Sequence, residues 1–178
     1  MLKKIAALLL ILSLGLYSCT NVVSGLQSFV DSKDGYEFLY PNGWLPVQVP
    51  NGPDVVLRDL IEQTENVSVV ISDVPEGETL ADLGTPGEVG YRLQNKAIAP
   101  PDSGREAELV NAGVLESQGK TYYILEYSVK LADYERHNIA SVAISRGKLF
   151  TLNASTTEKR WREVQDLFET VAKSFTVY

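Results

Sequence analysis

The chain has 178 residues, of which 44% are hydrophobic and 22% charged, with a net charge of −7. That composition describes one globular domain large enough to bury a real core, and it excludes a disordered or fibrous chain. The acidic balance argues against binding a nucleic-acid phosphate backbone and against a polybasic docking patch for anionic lipid. With a single cysteine there is no internal disulfide, so stability rests on packing.

The first predicted element is a targeting segment over residues 1–18. Lys3 and Lys4 precede an apolar run from Ile5 to Tyr17, the pattern of a secretory signal peptide. A run of about a dozen residues is too short for a bilayer span, which needs about 20. Leu16, Tyr17, Ser18 and Cys19 resemble the bacterial lipobox, and that resemblance implies lipidation of Cys19 as the first residue of the mature chain. Two or three acyl chains together hold a protein stably at a membrane. The plain alternative is an ordinary signal peptide with an incidental cysteine. Loss of residues 1–18 makes the mature chain two units more negative, because they carry two lysines and no acid.

Residues 19–33 read as the lipidated terminus and a polar tether, and residues 34–178 as the domain. Alternation at Tyr36, Phe38 and Tyr40 predicts a strand, Pro41-Asn42-Gly43 a turn, and Trp44 follows. Residues 55–61 and 66–72 predict two more strands, the second rich in β-branched side chains, and Pro75-Glu76-Gly77 closes the latter. Thr85, Pro86 and Glu88 form a capping box with proline at the first helical position, so a helix starts there and ends before Pro100. Val89 and Leu93 share one face of it. A loop covers residues 99–106.

Four strands are predicted over 109–117, 120–131, 135–145 and 148–154. Turns at Gly119-Lys120, Ala132-Asp133 and Gly147-Lys148 join them as an antiparallel meander. In the second of these strands Tyr123, Leu125, Tyr127, Val129 and Leu131 make one apolar face, with Tyr122 and Ile124 on the other. Ser155 and Glu158 predict a capping box for a closing helix. There Trp161, Val164, Phe168, Val171 and Phe175 recur at three- and four-residue steps. The result is an α+β domain in which helices cover an antiparallel sheet.

Residue chemistry points away from catalysis. There is no Gly-x-Ser-x-Gly elbow and no phosphate-binding glycine loop. His137 is the only histidine. Glu135 and His137 project from one strand face, and Asp133 lies just before them. Imidazole plus carboxylates can hold a divalent metal such as zinc or manganese; the plainer reading is a surface histidine beside solvated acids. No cofactor is required. The aromatic cluster Tyr36, Phe38, Tyr40 and Trp44 reads as core rather than an exposed recognition surface, and so does Trp161. Arg58, Asp59, Glu62 and Glu65 read as surface charges.

Three motifs in order carry a family resemblance. Residues 34–44, Asp-Gly-Tyr-Glu-Phe-Leu-Tyr-Pro-Asn-Gly-Trp, resemble the opening of the PsbP family. Residues 80–90, with Gly84-Thr85-Pro86, resemble its turn into the first helix, and residues 161–175, ending Ser174-Phe175, its close. Together with the lipobox, the chain resembles the lipid-anchored cyanobacterial branch of that family. The resemblance implies an antiparallel sheet sandwiched by helices, a PsbP/Mog1-like fold. It also implies a lipid-anchored accessory protein on the lumenal side of the thylakoid membrane. Such a protein binds lumenal subunits of photosystem II and aids assembly or stability of the oxygen-evolving complex. Plant relatives help retain calcium and chloride; the N-terminal segment important for that has no clear counterpart in residues 20–33. The alternative is a ligand- or metal-binding envelope lipoprotein of the same fold, unrelated to photosynthesis.

Overall fold

The computed structural model describes residues 25–178; the signal segment and Cys19, with the lipidation expected there, lie outside the described residues. A three-stranded sheet has the order β1-β2-β10, formed by β1 (Leu26–Asp31), β2 (Tyr36–Pro41) and β10 (Thr176–Val177). A seven-stranded sheet has the order β3-β4-β5-β9-β8-β7-β6. Its strands are β3 (Trp44–Pro46), β4 (Val55–Asp59), β5 (Asn66–Asp73), β6 (Glu106–Ser117), β7 (Lys120–Lys130), β8 (Glu135–Ser145) and β9 (Lys148–Thr157). Every pairing is antiparallel. The helices are α1 (Leu80–Leu83), α2 (Pro86–Leu93), prolonged by a π-helical turn over Gln94–Ile98, and α3 (Glu158–Ser174).

The alternation in β7 explains the layering. Tyr123, Leu125, Tyr127 and Val129 point to one face of the large sheet, where they pack with Leu80 of α1 and Val89 of α2. Tyr122 points to the other face, into a larger cluster with Phe150, Leu152, Trp161, Phe168 and Phe175. Helices therefore lie on both faces, as expected. Tyr36, Phe38 and Trp44 are buried in that second cluster, and Tyr40, only half-buried, packs against it. The Tyr123 and Tyr127 hydroxyls donate to the carbonyls of Gly84 (2.9 Å) and Gly90 (3.0 Å), tying α1 and α2 to the sheet. Burial raises the Tyr127 pKa, so the hydroxyl stays a donor.

Four local expectations need correction. The tether does not extend to Lys33: Leu26–Asp31 is a strand, in register with β2 from Leu26↔Pro41 to Asp31↔Tyr36. It sits at a sheet edge with half of its side chains exposed, and its one large aromatic, Phe29, stacks on Phe38 with 5.1 Å between ring centroids. A one-faced edge strand of that composition reads as polar linker. Leu60 and Ile61 do not continue β4; they form an exposed turn. The hairpin turns centre on Gln118-Gly119 and Arg146-Gly147, one residue earlier than expected, with positive φ at all four positions, the geometry that matches strand twist. Ser155 is not a helix cap. It lies in β9 opposite Asn138, and α3 starts after Thr157 without a side-chain cap. The sheet ladder already claims the backbone around Ser155. The Thr85–Glu88 box is present as expected, and a second one, Thr79–Asp82, caps α1.

Gly35 closes the β1–β2 turn at φ +77°, and a Cβ built there would meet the Tyr178 carbonyl oxygen at 2.9 Å. Gly35→Ala is expected to destabilise the fold by about 1–3 kcal/mol, from left-handed strain plus displacement of the C-terminus. Urea denaturation would measure it as a lowered midpoint with an unchanged slope.

Candidate functional site

His137 stands where β7, β8 and α3 meet. It is 6% exposed, pairs in register with Ser128 of β7 and Thr156 of β9, and stacks on Trp161 at a centroid distance of 3.9 Å and 11°. Its Nε2 lies 2.7 Å from Glu126 Oε1 and its Nδ1 2.9 Å from Glu158 Oε2. Both ring nitrogens are thus engaged by carboxylates, and neither faces an open space. The ring acts as a fastener between two strands and a helix.

Asp133 and Glu135 do not join it. Both are exposed and line a groove of about 740 Å³ with Lys130, Lys159 and Arg162. Three cations in the same groove compete with a metal ion for those carboxylates. The ring nitrogens expected for metal are bound instead by Glu126 and Glu158, which stand 11 and 21 residues away in the chain. Among the described residues, Asp31, Asp34 and Asp54 have carboxylate oxygens within 4.8 Å of one another. Each is already committed. Asp31 accepts from the N–H groups of Lys33 and Asp34, both at 2.9 Å. Asp34 pairs with Lys148 at 3.2 Å and Lys33 at 3.6 Å. Asp54 accepts from the Tyr36 hydroxyl. The Lys148 hydrogen bond leads the causes that hold the Asp34 carboxyl below its ordinary pKa.

Two residues expected as surface charges are built into the fold. Glu65 is 3% exposed and accepts from the Thr156 hydroxyl at 3.0 Å and from Arg160 Nε. Asp59 accepts from the Trp44 indole (2.9 Å) and from the N–H groups of Ile61 (2.6 Å) and Glu62 (3.1 Å). Burial pushes the Asp59 pKa up, but those hydrogen bonds, from the two backbone N–H groups and the indole, together with the Arg160 charge outweigh it, and the net shift is downward. With a folded pKa below the unfolded value near 4, this carboxylate's contribution is complete above that value. It is lost as pH falls through the folded pKa. Asp59→Asn is therefore expected to flatten the pH dependence of stability below about pH 4, read by thermal melts across an acid series.

Beside His137, Arg136 is fixed on the opposite face of β8. Its Nε and Nη2 donate to Ser155 Oγ (3.0 and 2.7 Å), and Nη2 also donates to the Thr64 carbonyl (2.6 Å). Ser155 in turn donates to Asn138 Oδ1 at 2.6 Å. No local motif announces these partners; β8, β9 and the turn before β5 bring them together. The arrangement holds structure in place and offers no activated nucleophile or general base.

Helices on both faces of an antiparallel meander, with the sole histidine used as a fastener, define an α+β domain. The family model for PsbP matches residues 24–177, and the chain belongs to the PsbP family. It is 49% identical over 183 residues to CyanoP of Thermosynechococcus vestitus (strain NIES-2133 / IAM M-273 / BP-1), covering all of both chains. The solution structure of cyanobacterial PsbP (CyanoP) from Synechocystis sp. PCC 6803 superposes with a TM-score of 0.76 at 51% identity, covering 92% of this chain and 99% of that one. The Saccharomyces cerevisiae Ran-binding protein Mog1p shares the fold, with a TM-score of 0.59 at 8% identity over 85% of this chain and 95% of its own. Among the described residues no helix is long and apolar enough to cross a membrane.

Proposed function

We propose that the chain is a lipid-anchored accessory protein of photosystem II, held on the lumenal side of the thylakoid membrane through Cys19. It aids assembly or stability of the oxygen-evolving complex by binding lumenal subunits, and it carries out no reaction. The observation that carries this reading is the match to a cyanobacterial PsbP protein along the whole of both chains. The engagement of both His137 nitrogens by Glu126 and Glu158 supports binding over general acid–base chemistry, which needs a ring nitrogen within reach of a substrate proton. The role requires no cofactor. The lipid concentrates the domain at the membrane and raises its effective concentration near an integral partner. The acidic mature surface complements basic lumenal loops and favours rapid encounter.

Affinity purification from detergent-solubilised thylakoid membranes tests this. Reaction-centre subunits are expected to co-purify, with recovery reduced by a wash in about 1 M NaCl that screens surface charge. Cys19→Ser is expected to move the protein into the soluble fraction and lower the recovery. Absence of every photosystem II subunit from the wild-type eluate would overturn the reading.

A further inference from the structure

The turn between β4 and β5 carries the most exposed large apolar side chain among the described residues. Ile61 is 88% exposed and its neighbour Leu60 60%. Single apolar side chains on a surface need no explanation, but these two are adjacent and their turn is braced. The Asp59 carboxylate holds the Ile61 and Glu62 N–H groups and the Trp44 indole. The Glu65 N–H donates to the Glu62 carbonyl at 2.7 Å, and Glu65 itself is clamped by Thr156 and Arg160. The two aliphatic side chains are thus presented outward on a rigid support.

That turn lies at the end of the molecule where the chain enters the fold. The Asn42 N–H donates to the Gly25 carbonyl at 2.9 Å, and Leu26 pairs with Pro41. Trp44, just past Asn42 and Gly43, pairs with Asp59, the residue before Leu60. Five residues lie between Cys19 and Gly25, a reach of about 20 Å when fully extended. A lipid on Cys19 therefore keeps this end of the domain against the bilayer. The charges beside the turn, Arg58, Asp59 and Glu62, give no cationic excess, so attraction to anionic headgroups is not what draws it there.

We propose that Leu60 and Ile61 insert into the apolar edge of the bilayer that holds the Cys19 lipid. The domain then stands on the membrane at two points with a fixed orientation. This rests on the lipid-anchor reading above. Each of the two side chains, once transferred from water, favours the membrane-seated orientation by about tenfold or more. The contact is apolar, so it persists in high salt, unlike the charge-steered docking to protein loops.

The test uses the full mature chain purified from membranes and reconstituted in phosphatidylcholine vesicles. A thiol-reactive fluorophore is attached at Ile61→Cys. Glu76→Cys, exposed beyond the far end of the eight-residue strand β5 and about 25 Å away along it, is the control. Wild-type protein should take up no label, because the Cys19 thiol carries lipid; labelling of the wild type would overturn both the anchor and the insertion. With the anchor in place, nitroxide-labelled lipid should quench the position-61 fluorophore several-fold more than the position-76 fluorophore, with or without about 1 M NaCl. Adding Leu60→Asp to Ile61→Cys should lower that quenching by about threefold or more. Equal quenching at both positions, with the protein still on the vesicles, would overturn the insertion and leave the anchor standing.

Discussion

Phe168→Ala is expected to lower the unfolding free energy by about 3–5 kcal/mol. Phe168 is 0% exposed and meets both buried tryptophans edge-on, Trp44 at 5.9 Å and Trp161 at 6.3 Å between centroids. It therefore joins α3 to the strand that follows the N-terminal aromatic motif. Removing the ring leaves a void that two rigid indoles cannot fill by rotating. In a domain of this size each kcal/mol corresponds to about 2–4 °C in melting temperature, so a fall of roughly 6–20 °C is expected by calorimetry. Phe168→Leu keeps most of the volume and should lose much less, which separates packing from any specific role of the ring.

The second large effect lies in the Glu65–Arg160 pair. Arg160→Met is expected to destabilise by about 3 kcal/mol, because it leaves Glu65 shielded from water with only the Thr156 hydroxyl as partner. Glu65→Gln should do less, since the Arg160 side chain is 32% exposed and stays solvated. The double substitution Glu65→Leu with Arg160→Met should recover a good part of the loss, because both desolvation penalties disappear together. A double-mutant cycle in urea measures the coupling. A cycle showing simple additivity would mean the pair contributes no more than an exposed ion pair does.

Much of the fold is legible because its signals are local. Thr85, Pro86 and Glu88 sit within one turn of each other, and a capping box needs nothing further away. The stripe from Trp161 to Phe175 and the alternation through β7 depend only on periodicity. Where a signal needs a partner elsewhere, the reading fails. Leu26–Asp31 is a strand because β2 lies beside it. Ser155 looks like a cap next to Glu158, but the β8–β9 ladder claims it first. The short helix α1 carries its own box, Thr79 with Asp82, and attention to aspartate as well as glutamate at the third helical position finds it.

The site divides in the same way. The sequence singles out His137 as the one imidazole, with Asp133 and Glu135 as its near neighbours in the chain. The structure gives the ring to Glu126, Glu158 and Trp161, which reach it from β7 and α3. Glu65 looks like a surface acid among charged neighbours, until α3 lays Arg160 over it.

By itself the amino-acid order determined the α+β class, the meander, two of the helices and the family motifs, because periodicity and capping act over a few residues. Only the tertiary structure decided which carboxylates clasp His137, that Glu65 is buried, and that Leu60 and Ile61 stand out at the end where the chain enters the fold. Burial and ion pairing are set by whichever element arrives from far along the chain, and no local pattern encodes that arrival.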